Sequence, residues 1–326
     1  LPVTDPATAA WYIRFAEHEA RGESAIYEEW ALGVAADAGI LALIAELPRP
    51  KQQPNLIFAV SRLLGAPEGP YGPWRDWLVD HWEAVRAEAL VRATQTNEPR
   101  RCAVLLPALG LVPGPLALLE VGASAGLCLY TDRYSYDYDG HRLDPAAGPS
   151  TVLLECATTG NPPIPDAVPE ITWRAGIDLN PLDLTVADDR LWLETLIWPE
   201  QHARRARIRA AMDIVSADPP RIVRGDATAA LPRLAAEAPA DATLVVIASA
   251  AIVYLTPENR ARFIDTVTSL DARWISNEGV GIVPSVRDAL RGVEPPRPGL
   301  FALGMDGHPL AWTGAHGRSL DWIRSR

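Results

Sequence analysis

Seven short apolar runs, separated by segments of helical character, constrain this chain more than any other feature. They run from Leu116 to Val121, Ile171 to Asp178, Arg221 to Gly225, Leu244 to Ser249, Trp274 to Glu278, Leu300 to Met305 and Pro309 to Thr313. Strands alternating with helices predict an α/β fold with a mostly parallel sheet. One such helix is well marked: Thr256 is placed to cap it, Pro257 opens it, and Phe263, Ile264, Val267 and Leu270 form its apolar face. The last two runs are joined by little more than Asp306-Gly307, which is too short for a parallel crossover and suits a tight hairpin. The seven-stranded sheet is therefore expected to end in an antiparallel strand.

The first run leads into Leu118-Leu119-Glu120-Val121-Gly122-Ala123-Ser124-Ala125-Gly126-Leu127. A strand that meets a turn of glycines and small residues, then a helix, is a nucleotide-binding arrangement. Small residues let a ligand approach the backbone, and a helix start offers unpaired N–H groups. A parallel sheet closed by a C-terminal hairpin, with this turn after its first strand, resembles the Rossmann-like class I methyltransferase fold. In that fold the turn, here Gly122, Ala123, Ser124 and Gly126, meets the methionine part of S-adenosylmethionine, and Glu120 is positioned to reach its amino group. Gly122-Ala123-Ser124-Ala125-Gly126 also fits a hydrolase nucleophile elbow, with Ser124 as nucleophile and His308 or His316 later in the chain. Against that reading, the upstream chain is helical and holds no oxyanion loop.

Acidic residues close the next two strands. Asp178, in Gly176-Ile177-Asp178-Leu179-Asn180-Pro181, is the candidate for both ribose hydroxyls, with Leu179 and Asn180 beside the cofactor. Such an acid ordinarily follows the glycine turn by roughly twenty residues. Here it follows much later, so an insertion is expected from Tyr134 to Pro169, a hairpin and loop whose Asp137, Asp139 or Asp144 are alternatives for the ribose. Asp226 and Ala227, after the third strand, suit the adenine amine and ring. Ser249 ends the fourth strand, where a transferred methyl would be faced. Glu278 at the fifth strand end, His316 past the hairpin and Tyr254 after the fourth strand are the candidate catalytic side chains.

From Ala7 to about Asn97 the apolar residues recur at helical spacing: Trp11, Phe15, Ile26, Trp30, Val34, Ile40 and Leu43. Asn55 is placed to cap a helix through Leu64, and a further helix is expected from Trp74 to about Ala93. The domain boundaries read 1–98 for an all-α N-terminal domain and 99–326 for the Rossmann-like domain. With 41 acidic against 30 basic residues the formal charge is −11, which repels a phosphate backbone and points away from nucleic acid. Three widely spaced cysteines suggest neither a disulfide framework nor a metal site. Without an apolar run of membrane length or the features of a signal peptide, a cytoplasmic protein with no membrane contact is expected.

The chain resembles DUF2332, a bacterial family of unknown function, over nearly its whole length. The likeness rests on Gln53-Pro54-Asn55-Leu56, the glycine turn with Asp132-Arg133-Tyr134 after it, and Gly176 through Asp183. It continues in Trp192-Leu193, Trp198-Pro199-Glu200-Gln201, Gly225-Asp226-Ala227 and Ser276-Asn277-Glu278. In that family a histidine commonly precedes the serine of the fourth strand; here Ala248 stands there. The resemblance implies a methyltransferase-like fold and brings no substrate with it. The expected function is S-adenosylmethionine-dependent methylation of a small molecule, with the helical domain and the Trp192 to Met212 stretch as walls over the acceptor. The alternatives are a non-catalytic cofactor-binding or interaction protein, the Ser124 hydrolase, and a nicotinamide enzyme using Asp178. The acceptor and the oligomeric state are not encoded in any motif found.

Overall fold

The structure, a computed structural model, describes residues 6–323. The chain divides into two compact units, one of Leu1–Thr96 with Val186–Ala206 and one of Asn97–Thr185 with Arg207–Arg326. No helix among the described residues is long and apolar enough to cross a membrane.

The first unit is helical. Its helices are α1 (Pro6–Phe15), α2 (Ala25–Ala36), α3 (Ala38–Ile44), α4 (Pro54–Leu63), α5 (Tyr71–Asp80) and α6 (Trp82–Val91). Side-chain caps set two starts: Ser24 Oγ accepts from Tyr27 N, and Asp37 Oδ1 accepts from Gly39 and Ile40 N. Asn55 does not cap a helix as expected. Proline tolerates the first turn of a helix, so α4 begins at Pro54, and the Asn55 Oδ1 accepts from Trp198 Nε1 at 2.9 Å. The single helix expected from Trp74 is two, broken at His81, which has φ −114° and a ring stacked on Trp77 at 4.2 Å. Phe58 centres the core, with the rings of Tyr27, Trp30 and Trp74 between 5.0 and 5.4 Å away. The 186–206 segment joins this core. Trp198 packs on Phe15 and Tyr27, Arg62 donates to the Thr195 and Ile197 carbonyls, and Glu200 accepts from Ser24 Oγ and Ile26 N.

The second unit begins with α7 (Arg101–Leu109), an apolar helix buried over eight of its nine residues. Such a helix cannot be told from a strand by periodicity. The strands follow as β1 (Leu116–Val121), β2 (Ser135–Tyr138), β3 (His141–Leu143), β4 (Leu153–Glu155), β5 (Ala157–Thr159) and β6 (Ile171–Asp178). After α8 (Ala187–Thr195) and α9 (His202–Ala217) come β7 (Arg221–Arg224), α10 (Ala227–Ala235), β8 (Thr243–Ser249), α11 (Pro257–Thr268) and β9 (Arg273–Gly279). The last elements are α12 (Pro284–Ala289), β10 (Phe301–Met305), β11 (His308–Thr313) and β12 (Ser319–Trp322).

The large sheet has nine strands rather than the seven expected, in the order β5-β12-β11-β10-β9-β8-β1-β6-β7. The two additions, β5 and β12, are three and four residues long, too short for alternation to reveal them. From β7 to β9 the strands are parallel, and β10 is antiparallel to both its neighbours. The hairpin turn is at Asp306 and Gly307, both with positive φ, as a two-residue turn of this kind needs. The chain moves outward from β1 to β6 and β7, then returns to the other side of β1 for β8 and β9. The order reverses between β1 and β8, and in open α/β sheets ligands bind at the carboxyl ends of strands at such a point. The insertion between β1 and β6 builds a second sheet, ordered β3-β2-β4.

Candidate functional site

At the end of β1 the backbone turns sharply. Gly122 and Gly126 have φ of +74° and +77°, and Ser124, which no glycine freedom assists, has φ +51°. The amides of the turn are held by the protein itself. Gly122 N and Ala123 N donate to the Ile177 carbonyl, Ser124 N donates to Asp178 Oδ2 at 2.8 Å, and Leu127 N donates to Asn97 Oδ1 at 2.7 Å. A side chain at Gly122 would meet Ala251 Cβ at 2.5 Å, and one at Gly176 would meet Ala123 Cβ at 2.5 Å. Small residues are therefore needed here for close packing between neighbouring strand ends.

The helix expected after the turn is not there. Two 3₁₀ turns, Leu127–Leu129 and Thr131–Arg133, lead directly into β2. The carbonyls that an α-helix would use are taken by hydroxyls: Tyr134 donates to the Leu127 carbonyl at 2.8 Å and Tyr136 to the Thr131 carbonyl at 2.5 Å. No helix start is thus available at this turn to carry an anion.

The sheet brings Glu120, Asp178, Ser249 and Glu278 to the carboxyl ends of β1, β6, β8 and β9. Glu120 is 3% exposed, its Oε2 has no hydrogen-bond partner, and burial pushes its pKa well above the ordinary value. Asp178 spans the turn, since its Oδ1 also accepts from Asn180 N. Glu278 is buried with Oε1 accepting from Ala251 N and Ile252 N; its Oε2 is unpartnered, and burial outweighs the amide bonds to raise its pKa. Ser249 Oγ accepts from Asn277 Nδ2, and Asn277 Oδ1 accepts from Thr313 Oγ1, a buried polar chain across three strands.

Of the other expected site residues, Leu179 and Asn180 follow Asp178 directly, with Asn180 N bonded to it, and the rest lie apart from this group. Asp226 accepts from Ala229 N and caps α10, of which Ala227 is the first residue, at the end of β7, two strands from β1. Leu179 is 64% and Tyr254 83% exposed, and the Asn180 Oδ1 accepts from Arg224. His316 has φ +56° in a turn whose next residue, Gly317, packs on the carbonyl of Arg100. Two residues belong to the site that sequence reasoning did not find. Asn97 holds Leu127 N, and Arg101 Nη1 donates to the Ser249 carbonyl at 2.8 Å. Both sit just before or within an unrecognised helix, with no motif around them.

A cavity of about 220 Å³ lies beside the turn, lined by Ala125, Pro181, Leu182, Asp183, Pro220 and Ile222. Another, of about 320 Å³, opens at the opposite end of β1 between Gly110, Pro115, Pro165 and Glu170, away from Glu120, Asp178 and Glu278. Among the described residues no group of three or more His, Cys, Asp or Glu could hold a metal ion.

The Glu278 geometry has a testable consequence. Because its folded pKa is raised, the stability it confers is complete below the ordinary value of 4.5 and is lost as pH rises through the folded value. Glu278→Gln keeps an oxygen for the two amides and cannot ionise. Thermal melts of the variant and the parent are expected to differ little near pH 4 and to diverge at higher pH, with the variant the more stable. A constant difference across the range would mean that Glu278 ionises as freely as in water.

Taken together, the fold and site define an α/β protein with a glycine turn and a cluster of buried carboxyls at the switch point of a mostly parallel sheet. The family model for uncharacterized proteins conserved in bacteria, DUF2332, matches residues 9–322. The chain belongs to that family. No curated protein and no solved structure matches it.

Proposed function

We propose that this chain is an S-adenosylmethionine-dependent methyltransferase acting on a small molecule, on a Rossmann-like methyltransferase fold. The observation that carries the reading is the placement of a glycine turn and of Glu120, a buried carboxyl with one unpartnered oxygen, at the reversal of strand order between β1 and β8. Residues in that place fit the cofactor: Glu120 has an oxygen with no hydrogen-bond partner that suits an ammonium, and Asp178 stands at the end of the adjacent strand. Each carboxylate oxygen has more than one lone pair, so Asp178 can take a ribose hydroxyl while keeping the turn amides. When bound, the cofactor would supply an electrophilic methyl group on a sulfonium. The protein's share is orientation and exclusion of water, with Ser249 and Glu278 at the adjoining strand ends to face the acceptor.

Calorimetric titration with S-adenosylmethionine and S-adenosylhomocysteine tests this reading. Micromolar binding is expected for the parent chain and a loss of roughly tenfold or more for Asp178→Ala. Absence of binding to a folded parent chain would remove the proposal. A second reading, a non-catalytic protein that keeps the fold, is favoured by one observation: Asp178, Asp226 and Glu278 each already hold backbone amides. Tight cofactor binding with no methyl transfer to any acceptor in a broad screen would support it.

A further inference from the structure

The cavity at the amino end of β1 lies outside the proposed cofactor site, and the main chain fixes its walls. Leu116 N donates to the Glu170 carbonyl at 2.9 Å, and Thr243 N to the Pro115 carbonyl at 2.8 Å, so the starts of β1 and β8 hold two of them. The end of α7 makes a third. Pro165 packs there so closely that a side chain at Gly110 would stand 3.0 Å from Pro165 Cβ. The space, about 320 Å³, suits a small ligand.

The lining side chains offer an acceptor and no donor. Glu170 alone among them is polar; it is exposed, and its carboxylate makes no hydrogen bond and no ion pair among the described residues. Pro115, Pro165 and Pro169 have no N–H to give. Gly110 N and Val112 N are spent on the Leu106 and Leu109 carbonyls as α7 ends. That end is the negative pole of a nine-residue helix, which favours a cation. A carboxylate or phosphate would meet two sources of repulsion here and no side-chain donor. A cation meets a counter-charge, and an alkyl body meets proline rings and Val112.

We propose that this cavity binds a small organic cation of the alkylammonium class. The ammonium sits between Glu170 and the end of α7, and the alkyl chain lies against Pro165, Pro169 and Val112. The site is at the other end of β1 from Glu120, so it stands or falls independently of the methyltransferase reading. A chain of formal charge −11 attracts amines over its whole surface. The test therefore has to separate the cavity from the surface.

The experiment is a saturation-transfer NMR titration of the full chain with pentylamine, pentanol and pentanoate, which share one alkyl chain and differ in charge. Saturable binding of pentylamine is expected, roughly tenfold or more tighter than pentanol, as for gain of a charged hydrogen-bonding partner. Pentanoate should not bind. Glu170→Gln is expected to weaken pentylamine roughly tenfold and leave pentanol unchanged. Ala167→Phe, at another lining residue, fills the space and should weaken both. Glu170 and Ala167 are exposed, so neither change disturbs the core. Pentylamine binding that survives both substitutions would place the cation on the acidic surface and overturn the proposal. Equal affinity for the three ligands, or no saturable binding of pentylamine to the folded parent chain, would overturn it as well.

Discussion

Gly122→Val is expected to lower the stability of the chain by roughly 3 to 5 kcal/mol. The left-handed conformation at φ +74° disfavours any side chain, and a β-branched one most of all. To that strain is added a collision, since the first carbon of the new side chain would stand 2.5 Å from Ala251 Cβ. Ala251 cannot retreat cheaply because its amide is bound by the buried Glu278. Gly122→Ala carries the strain and the first contact without the branches, and a smaller loss of roughly 2 to 3 kcal/mol is expected. Calorimetric unfolding of both variants gives the comparison. Equal and small losses would show that the ends of β1 and β8 are not packed as closely as the structure has them.

Trp30→Ala is expected to cost about 3 to 5 kcal/mol in the helical unit. Trp30 is fully buried, stacks on Trp74 at 4.8 Å, meets Phe58 at 5.4 Å and donates Nε1 to the Gly69 carbonyl at 2.8 Å. The variant removes the largest kind of side chain from a core that relaxes only partly, together with a hydrogen bond. Val91→Ala, at a position 76% exposed in the same unit, should stay within about 0.5 kcal/mol of the parent. Urea unfolding followed by circular dichroism reads both. Similar midpoints for the two variants would mean that the aromatic cluster does not stabilise the unit.

Much of the fold was legible because the strands announce themselves locally. Leu116–Val121 and Ile171–Asp178 carry apolar runs bounded by turn residues, and the Asp306-Gly307 hairpin follows from the preference of those residues for positive φ. The Thr256 cap and the Pro257 start of α11 are equally local. What the sequence left open has a shared cause. Asn55, Asp178 and Asp226 are all residues of capping and turn chemistry, and sequence shows that such a residue wants a partner without saying which one. Asn55 found the indole of Trp198, 143 residues away, and Asp178 found Ser124 N, 54 residues away. In place of the helix expected after Gly126, the hydroxyls of Tyr134, just before β2, and Tyr136, within it, take carbonyls of this stretch.

By itself the sequence determined seven strands of the large sheet, the start of α11, where the glycine turn lies and which acids close the strands, because hydrophobic periodicity and turn preference act over a few residues. Tertiary structure decided the partners. It set Arg101 against the end of β8, left one oxygen of Glu120 unpaired, assigned the 186–206 segment to the helical unit and added β5 and β12 to the sheet. Each of these depends on which polar and apolar surfaces meet across long stretches of chain, and burial makes that choice only when the whole chain has packed.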